Sequence, residues 1–225
     1  TAPWRSGELM PLSHWLYFLP NSPESDLDVD GHPKRGDFLP PIDRFPRRMW
    51  AGSRLSFNVP VPLESTIRRR STIKSIASKT GATGEMIFVT VSHEIFVGDV
   101  IAISEEQDIV YRGTTTVSPT LRRTIANLPS PDLVRTVSPD TVMLFRYSAL
   151  TFNAHRIHYD RDYACRHERY SGLVVQGPLV ATLLADHFLR RFPEVRVRRL
   201  EFRAERPMFD GITLDLCLHG DLNAA

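Results

Sequence analysis

The sequence predicts an α+β fold, and three observations carry that reading. Residues 49–112 are dominated by β-branched runs in which apolar and polar side chains often alternate. Residues 178–191 place Leu179, Val180, Leu183, Leu184, His187 and Phe188 on one stripe at helical spacing. The coarse order of elements runs helix then strands, twice.

The elements follow in order. Leu9, Met10, Leu12, Trp15, Leu16, Phe18 and Leu19 have near-helical spacing, so a helix is expected over 8–19, ended by Pro20. Residues 20–46 are rich in Pro, Gly and Asp and read as a long loop, a kind that is functional or covers something. Strands are predicted at 49–59, 65–78, 85–96, 99–104 and 107–112, with hairpin turns at Gly81-Ala82-Thr83-Gly84 and Val97-Gly98-Asp99. Residues 113–139, rich in Thr, Ser, Pro and Arg, read as a connector. A strand at 141–147 leads into a loop with Asn153, His155 and His158, then a helical turn over 160–168 with Asp160 as N-cap. Gly172 and Gly177 bound a turn into the helix at 178–191. Pro178 suits its first position and Pro193 stops it. Strands at 195–206 and 211–219 close the chain, and no internal repeat is visible.

Composition narrows the function. The 225 residues suffice for one large domain or two small ones, and a 42% hydrophobic share supports a packed core. A formal net charge of +2 implies no strong field for nucleic acid. The Arg68–Arg70 cluster and Arg196, Arg198 and Arg199 read as solvated faces, with phosphate contact as the alternative. Cys165 and Cys217 make neither a metal spacing nor a disulfide framework and suit a reducing compartment. No apolar run approaches the length of a membrane span and no signal-peptide pattern is seen, so a cytoplasmic enzyme is expected, with no nucleic-acid or membrane partner.

The loop at 153–158 carries the candidate chemistry. His158 titrates near neutrality and could shuttle a proton, or be a satisfied core histidine. The Asn153 carboxamide could hold a water through a donor and an acceptor, or cap the loop. His155 could be a second acid/base group or a loop-stabilising residue. The two histidines lack a third ligand of suitable spacing, so no metal is expected. Arg156 could meet a substrate carboxylate or pair with Asp160. The Gly177 amide, at the positive end of a helix, could hold an oxyanion, and Gly172 could share that role or only permit the turn. Tyr163, Phe152 and Trp50 read as packing residues. Ser148 and Thr151 lack a nucleophile elbow. No glycine-rich fingerprint calls for a nicotinamide or flavin cofactor.

Asn153, His158, Asp160, Tyr163 and Ala164 resemble the hydratase motif of MaoC-type hot-dog-fold enzymes. The longer string TFNAHRIHYD resembles the branch of type-2 hydroxyacyl-thioester dehydratases and the mesaconyl- and itaconyl-coenzyme A hydratases. MPLSHWLYFLP and RRMWAGSRLSF resemble the degenerate first hot dog of those proteins. The resemblance implies a double hot dog, two curved antiparallel sheets each wrapped around a long helix. The expected divisions are a degenerate N-terminal hot dog (1–112), a connector (113–139) and a catalytic hot dog (140–225) without its last strand.

It further implies a hydro-lyase that adds water to an α,β-unsaturated acyl-coenzyme A, with itaconyl- or mesaconyl-coenzyme A favoured. His158 would be the acid/base, with Asn153 and His155 beside it. Gly177 and Gly172 would hold the thioester oxygen, and Arg156 a substrate carboxylate. Coenzyme A would enter only as part of the substrate, and a homodimer is the expected assembly. General members have Asp at position 153 and Asn at 155, so the usual Asp–His pair does not carry over. The alternatives are a 3-hydroxyacyl-thioester dehydratase of fatty-acid synthesis, a hot-dog thioesterase, and a silent acyl-thioester-binding subunit.

Overall fold

A computed structural model describes residues 4–81, 84–113 and 130–220. Seven strands and two helices follow one another as β1 (Arg47–Phe57), β2 (Ile67–Gly81), β3 (Gly84–Val97), β4 (Val100–Arg112), β5 (Leu133–Val137), α1 (Thr141–Thr151), α2 (Gly177–Arg191), β6 (Arg199–Arg203) and β7 (Leu214–Leu218). They fall into two units. One holds β1–β4 and β6; the other holds β5, α1, α2 and β7. The segment 196–206 returns to the N-terminal unit, so the second unit is interrupted in sequence.

The first unit is a five-stranded antiparallel sheet in the order β2-β3-β4-β1-β6. The two strands expected at 99–104 and 107–112 are one, β4. Its polar middle stays in the ladder because each charge has a place. Glu106 and Asp108 pair with Arg54, at 3.2 and 2.6 Å, while Glu105 turns into the core. β3 and β4 are joined through Gly98, at a φ of +57°, so the expected turn is there. β2 and β3 pair out to Gly81 and Gly84, while Ala82 and Thr83 of the other expected turn lie outside the described residues. β6 docks on β1 at Gly52. A Cβ on that residue would stand 2.4 Å from the Phe202 carbonyl oxygen, so only glycine allows the two backbones to meet.

The helix expected over 8–19 is a single 3-10 turn, Ser13–Leu16. Leu12 and Phe18 take left-handed conformations on either side of it, with φ 73° and 54°, which no helix can pass through. The turn instead serves a buried carboxylate. Glu105 is 2% exposed and accepts from His14 Nε2 (2.9 Å), Trp15 Nε1 (3.1 Å) and Gln107 Nε2 (3.1 Å). Burial alone would push its pKa up. The hydrogen bond and charge of His14, with bonds from Trp15 and Ser53, outweigh that and hold it below the ordinary value. Trp50 packs edge-on against Trp15 with ring centroids 5.0 Å apart, and its Nε1 donates to Ser53 Oγ at 3.0 Å. The strings MPLSHWLYFLP and RRMWAGSRLSF therefore meet at one residue.

The long loop at 20–46 does cover something. Leu39, Ile42 and Phe45 pack on Val89, Val91 and Tyr111, and Arg35 pins the loop by donating to the carbonyls of Ile42 (2.7 Å) and Phe45 (2.8 Å). Arg68 and Arg70 lie over the Phe96 ring, Arg70 also pairs with Glu94, and Arg196 pairs with Glu8.

In the second unit β5 and β7 pair antiparallel, so residues 133–137 of the expected connector are a strand; residues 114–129 of it lie outside the described residues. The strand expected at 141–147 is the helix α1. Asp140 caps it, its side chain accepting from the Met143 amide at 2.8 Å. α1 carries Val142, Phe145, Tyr147 and Thr151, whose β-strand preferences lose to the cap and to tertiary packing. α2 forms where the apolar stripe predicts, with Pro178 in its first turn. The core here joins Leu144 of α1, Leu179 of α2, Ile157, Tyr163, Leu173, Val175 and Phe209.

Candidate active site

The second unit positions its polar residues from the end of α1. Phe152 leaves the helix in the left-handed region, φ 49° and ψ 38°, and the Asn153 amide bonds back to the Ser148 carbonyl at 2.8 Å. A non-glycine residue there costs about 1–2 kcal/mol, which the surrounding structure sustains. Asn153 Oδ1 then accepts from the His155 amide at 3.1 Å, an Asx turn. The loop-capping role is therefore real, and it occupies one of the two lone pairs of Oδ1. Asn153 also carries its Nδ2 donor.

The chain next makes a 3-10 turn, Arg156–His158. His158 is buried, and its Nδ1 lies 2.7 Å from the Val174 carbonyl oxygen. A carbonyl only accepts, so Nδ1 carries a proton, and in the neutral ring the lone pair is then on Nε2. The Val174 amide returns a bond to the Ile157 carbonyl at 2.9 Å, which fixes the backbone on both sides of the imidazole. The His155 ring stands edge-on to it, with centroids 5.4 Å apart.

Arg156 and Asp160 form the loop's frame. Asp160 accepts from the Tyr163 amide at 3.0 Å and from Arg156 at 2.7 and 3.1 Å. The Tyr163 amide first, and Arg156 second, hold its carboxyl below the usual range. The Arg156 guanidinium also lies over the Tyr163 ring, 4.3 Å from its centroid. Of the two sequence alternatives for Arg156, the pair with Asp160 is present.

Gly172 has a local reason. A Cβ there would meet Asp210 Oδ1 at 3.0 Å, and that oxygen accepts the Leu173 amide at 2.9 Å. Gly172 therefore has a steric reason to be glycine, and the Asp210 carboxylate beside it is paired with Arg161. Gly177 opens α2, where the first amides of a helix lack intrahelical partners. Tyr147, on α1, is pushed up to about 12 by burial, so its phenol stays protonated and is no base.

Sequence reasoning missed Gln176. It is 1% exposed, and its Nε2 donates at 3.0 Å to both the Leu144 carbonyl and Ser148 Oγ. Its one signal was a lone amide inside the apolar run LVVQGPL. The partner of His158 was invisible because it is a backbone carbonyl.

Residues 12–210 match the family described as hydroxyacyl-thioester dehydratase type 2. The chain belongs to this family. A mesaconyl-C(4)-CoA hydratase of Chloroflexus aurantiacus is 48% identical over 212 residues, covering 93% of this chain and 74% of that protein. A mitochondrial type 2 hydroxyacyl-thioester dehydratase of Schizosaccharomyces pombe is 31% identical over 237 residues, covering 93% and 77%. A MaoC-like dehydratase from Phytophthora capsici superposes with a TM-score of 0.58 at 15% identity, covering 83% of this chain and 67% of that one, and so bears on the fold alone. The fold is an α+β double hot dog. Its first unit keeps, among the described residues, only the 3-10 turns Ser13–Leu16 and Glu24–Asp26 where a long helix was expected. The named relatives are hydratases and dehydratases, and this chain is an enzyme of that class, a hydro-lyase.

Proposed function

We propose that this enzyme adds water across the double bond of a short α,β-unsaturated acyl-coenzyme A, with mesaconyl- or itaconyl-coenzyme A as the favoured substrate. The observation that supports the chemistry is the Nδ1 bond from His158 to the Val174 carbonyl, which makes Nε2 the nitrogen suited to exchange a proton. Nε2 takes a proton from water as the oxygen bonds to the β-carbon. The π electrons move into the thioester, whose oxygen is met by the Gly177 amide at the positive end of α2. The same nitrogen returns the proton to the α-carbon. The Asn153 Nδ2 donor orients the water, and the edge of His155 limits the imidazole's rotation. Dehydration runs over the same barrier in reverse.

The choice of acyl group is supported by the mesaconyl-C(4)-CoA hydratase being 48% identical where the hydroxyacyl-thioester dehydratase is 31%. A cytoplasmic setting is in keeping with Cys165 and Cys217 both being free thiols, and no described helix is long and apolar enough to cross a membrane. The test is hydration of a panel of enoyl-coenzyme A esters by purified protein. Faster turnover of mesaconyl- or itaconyl-coenzyme A than of crotonyl-coenzyme A supports the dicarboxylate. A preference for long uncharged chains moves the enzyme to fatty-acid dehydration. Release of free coenzyme A without hydration makes it a thioesterase.

A further inference from the structure

We infer that Gln176 is a positioning residue for the hydration, one that holds the loop with Asn153 in register with the amide of Gly177. The inference rests on the hydratase reading above. Both halves of the proposed site meet at this side chain. Its Nε2 grips α1 at the Leu144 carbonyl and at Ser148 Oγ, each at 3.0 Å. Ser148 in turn receives the Asn153 amide at its carbonyl, at 2.8 Å, so the grip is one residue's length from the catalytic loop. The Gln176 backbone caps α2, its carbonyl accepting from the Val180 amide at 3.2 Å, and the next residue is Gly177.

Stability does not explain an amide here. Gln176 Oε1 is buried and meets no hydrogen-bond partner among the described residues. A half-satisfied buried amide is worth less to the folded state than an apolar side chain of the same shape. The Leu144 carbonyl sits inside α1, where a carbonyl already has its intrahelical donor, so the second bond adds direction rather than rescue. Around it the two helices share the apolar core of Leu144 and Leu179 and, further along α2, a hydrogen bond between Tyr147 and Thr182, and apolar contacts tolerate sliding. A pair of hydrogen bonds from one amide does not. Positional errors of about 1 Å cost a reaction about a hundredfold, which gives such a clamp something to protect.

Two variants test this. Gln176→Met keeps the volume and removes both donors and the unpartnered oxygen. Its melting temperature should equal or exceed that of the unmodified enzyme. Its kcat should fall about ten- to a hundredfold, within the loss expected for misplacement, while KM stays within about threefold. Gln176→Glu donates to the Leu144 carbonyl only while protonated, and burial raises its pKa. Its activity relative to the unmodified enzyme at each pH should therefore fall as pH rises. A Met variant with unchanged kcat, a loss that simply follows unfolding, or a flat ratio for the Glu variant overturns the positioning role and leaves the hydratase reading standing. An unmodified protein that hydrates no enoyl thioester overturns that reading and takes this one with it.

Discussion

The first unit buries His14 and the second buries His158 and His187, and His14 and His158 differ in their partners. His14 in the first unit faces the Glu105 carboxylate at 2.9 Å, inside a shell of further donors. His158 in the second faces a neutral backbone carbonyl at 2.7 Å. A carboxylate partner makes the pair a fixed charge arrangement, expensive to disturb. A carbonyl partner fixes the tautomer and orientation of the ring yet adds no full charge, so the ring can gain and lose a proton during turnover. In the first unit His14 serves architecture. In the second, the proposed chemistry falls to His158.

Removing each imidazole breaks the comparison most directly. His158→Ala should lower hydration by roughly two to four decades, the usual worth of a general acid/base, with melting little changed. Near-normal turnover in a folded variant would strike His158 from the mechanism. His14→Ala should act on stability, because the buried Glu105 charge loses its ionic partner and keeps only the donors from Trp15, Gln107 and Ser53, at a cost of up to about 3–5 kcal/mol. Chemical denaturation measures this, and turnover per folded molecule should stay close to that of the unmodified enzyme.

Acid sharpens the contrast. The Glu105 carboxyl has a folded pKa below its unfolded one, so its contribution to stability is complete above the ordinary glutamate value of about 4.3 and is lost as pH falls through the folded value. Melting followed below pH 5 should show this acid limb, and Glu105→Gln should flatten it. An equally steep limb in the variant would place the acid sensitivity elsewhere. The smallest effect belongs to Arg156. Its partly exposed pair with Asp160 is worth about 0–1 kcal/mol, and its charge is already answered. Arg156→Ala should leave the ratio of mesaconyl- to crotonyl-coenzyme A turnover within about threefold. A collapse of that ratio by a decade, the scale of a lost charged hydrogen bond, would return the substrate carboxylate to Arg156.

The parts legible in the sequence were those set by local order. The stripe through Leu179 and Leu183 is α2, and the alternating runs are β1 to β4. Asp160 caps its turn as expected, and His158 stands where its motif placed it. α1 was hidden because Thr141, Val142, Phe145 and Tyr147 favour strands, although Asp140 was a usable start signal. Long-range facts were hidden for a different reason. Neither the Val174 carbonyl under His158, nor Asp210 beside Gly172, nor the convergence of His14, Trp15 and Ser53 on Glu105 has a spacing that letters could reveal.

The union of β1 with β6 bears on how the protein is made. Arg199–Arg203 leaves the ribosome long after Arg47–Phe57, because β5, α1 and α2 of the second unit are translated between them. Throughout that interval the outer rim of β1 is a bare template of amides and carbonyls, open to any other nascent chain. Non-local pairing of this kind also closes slowly.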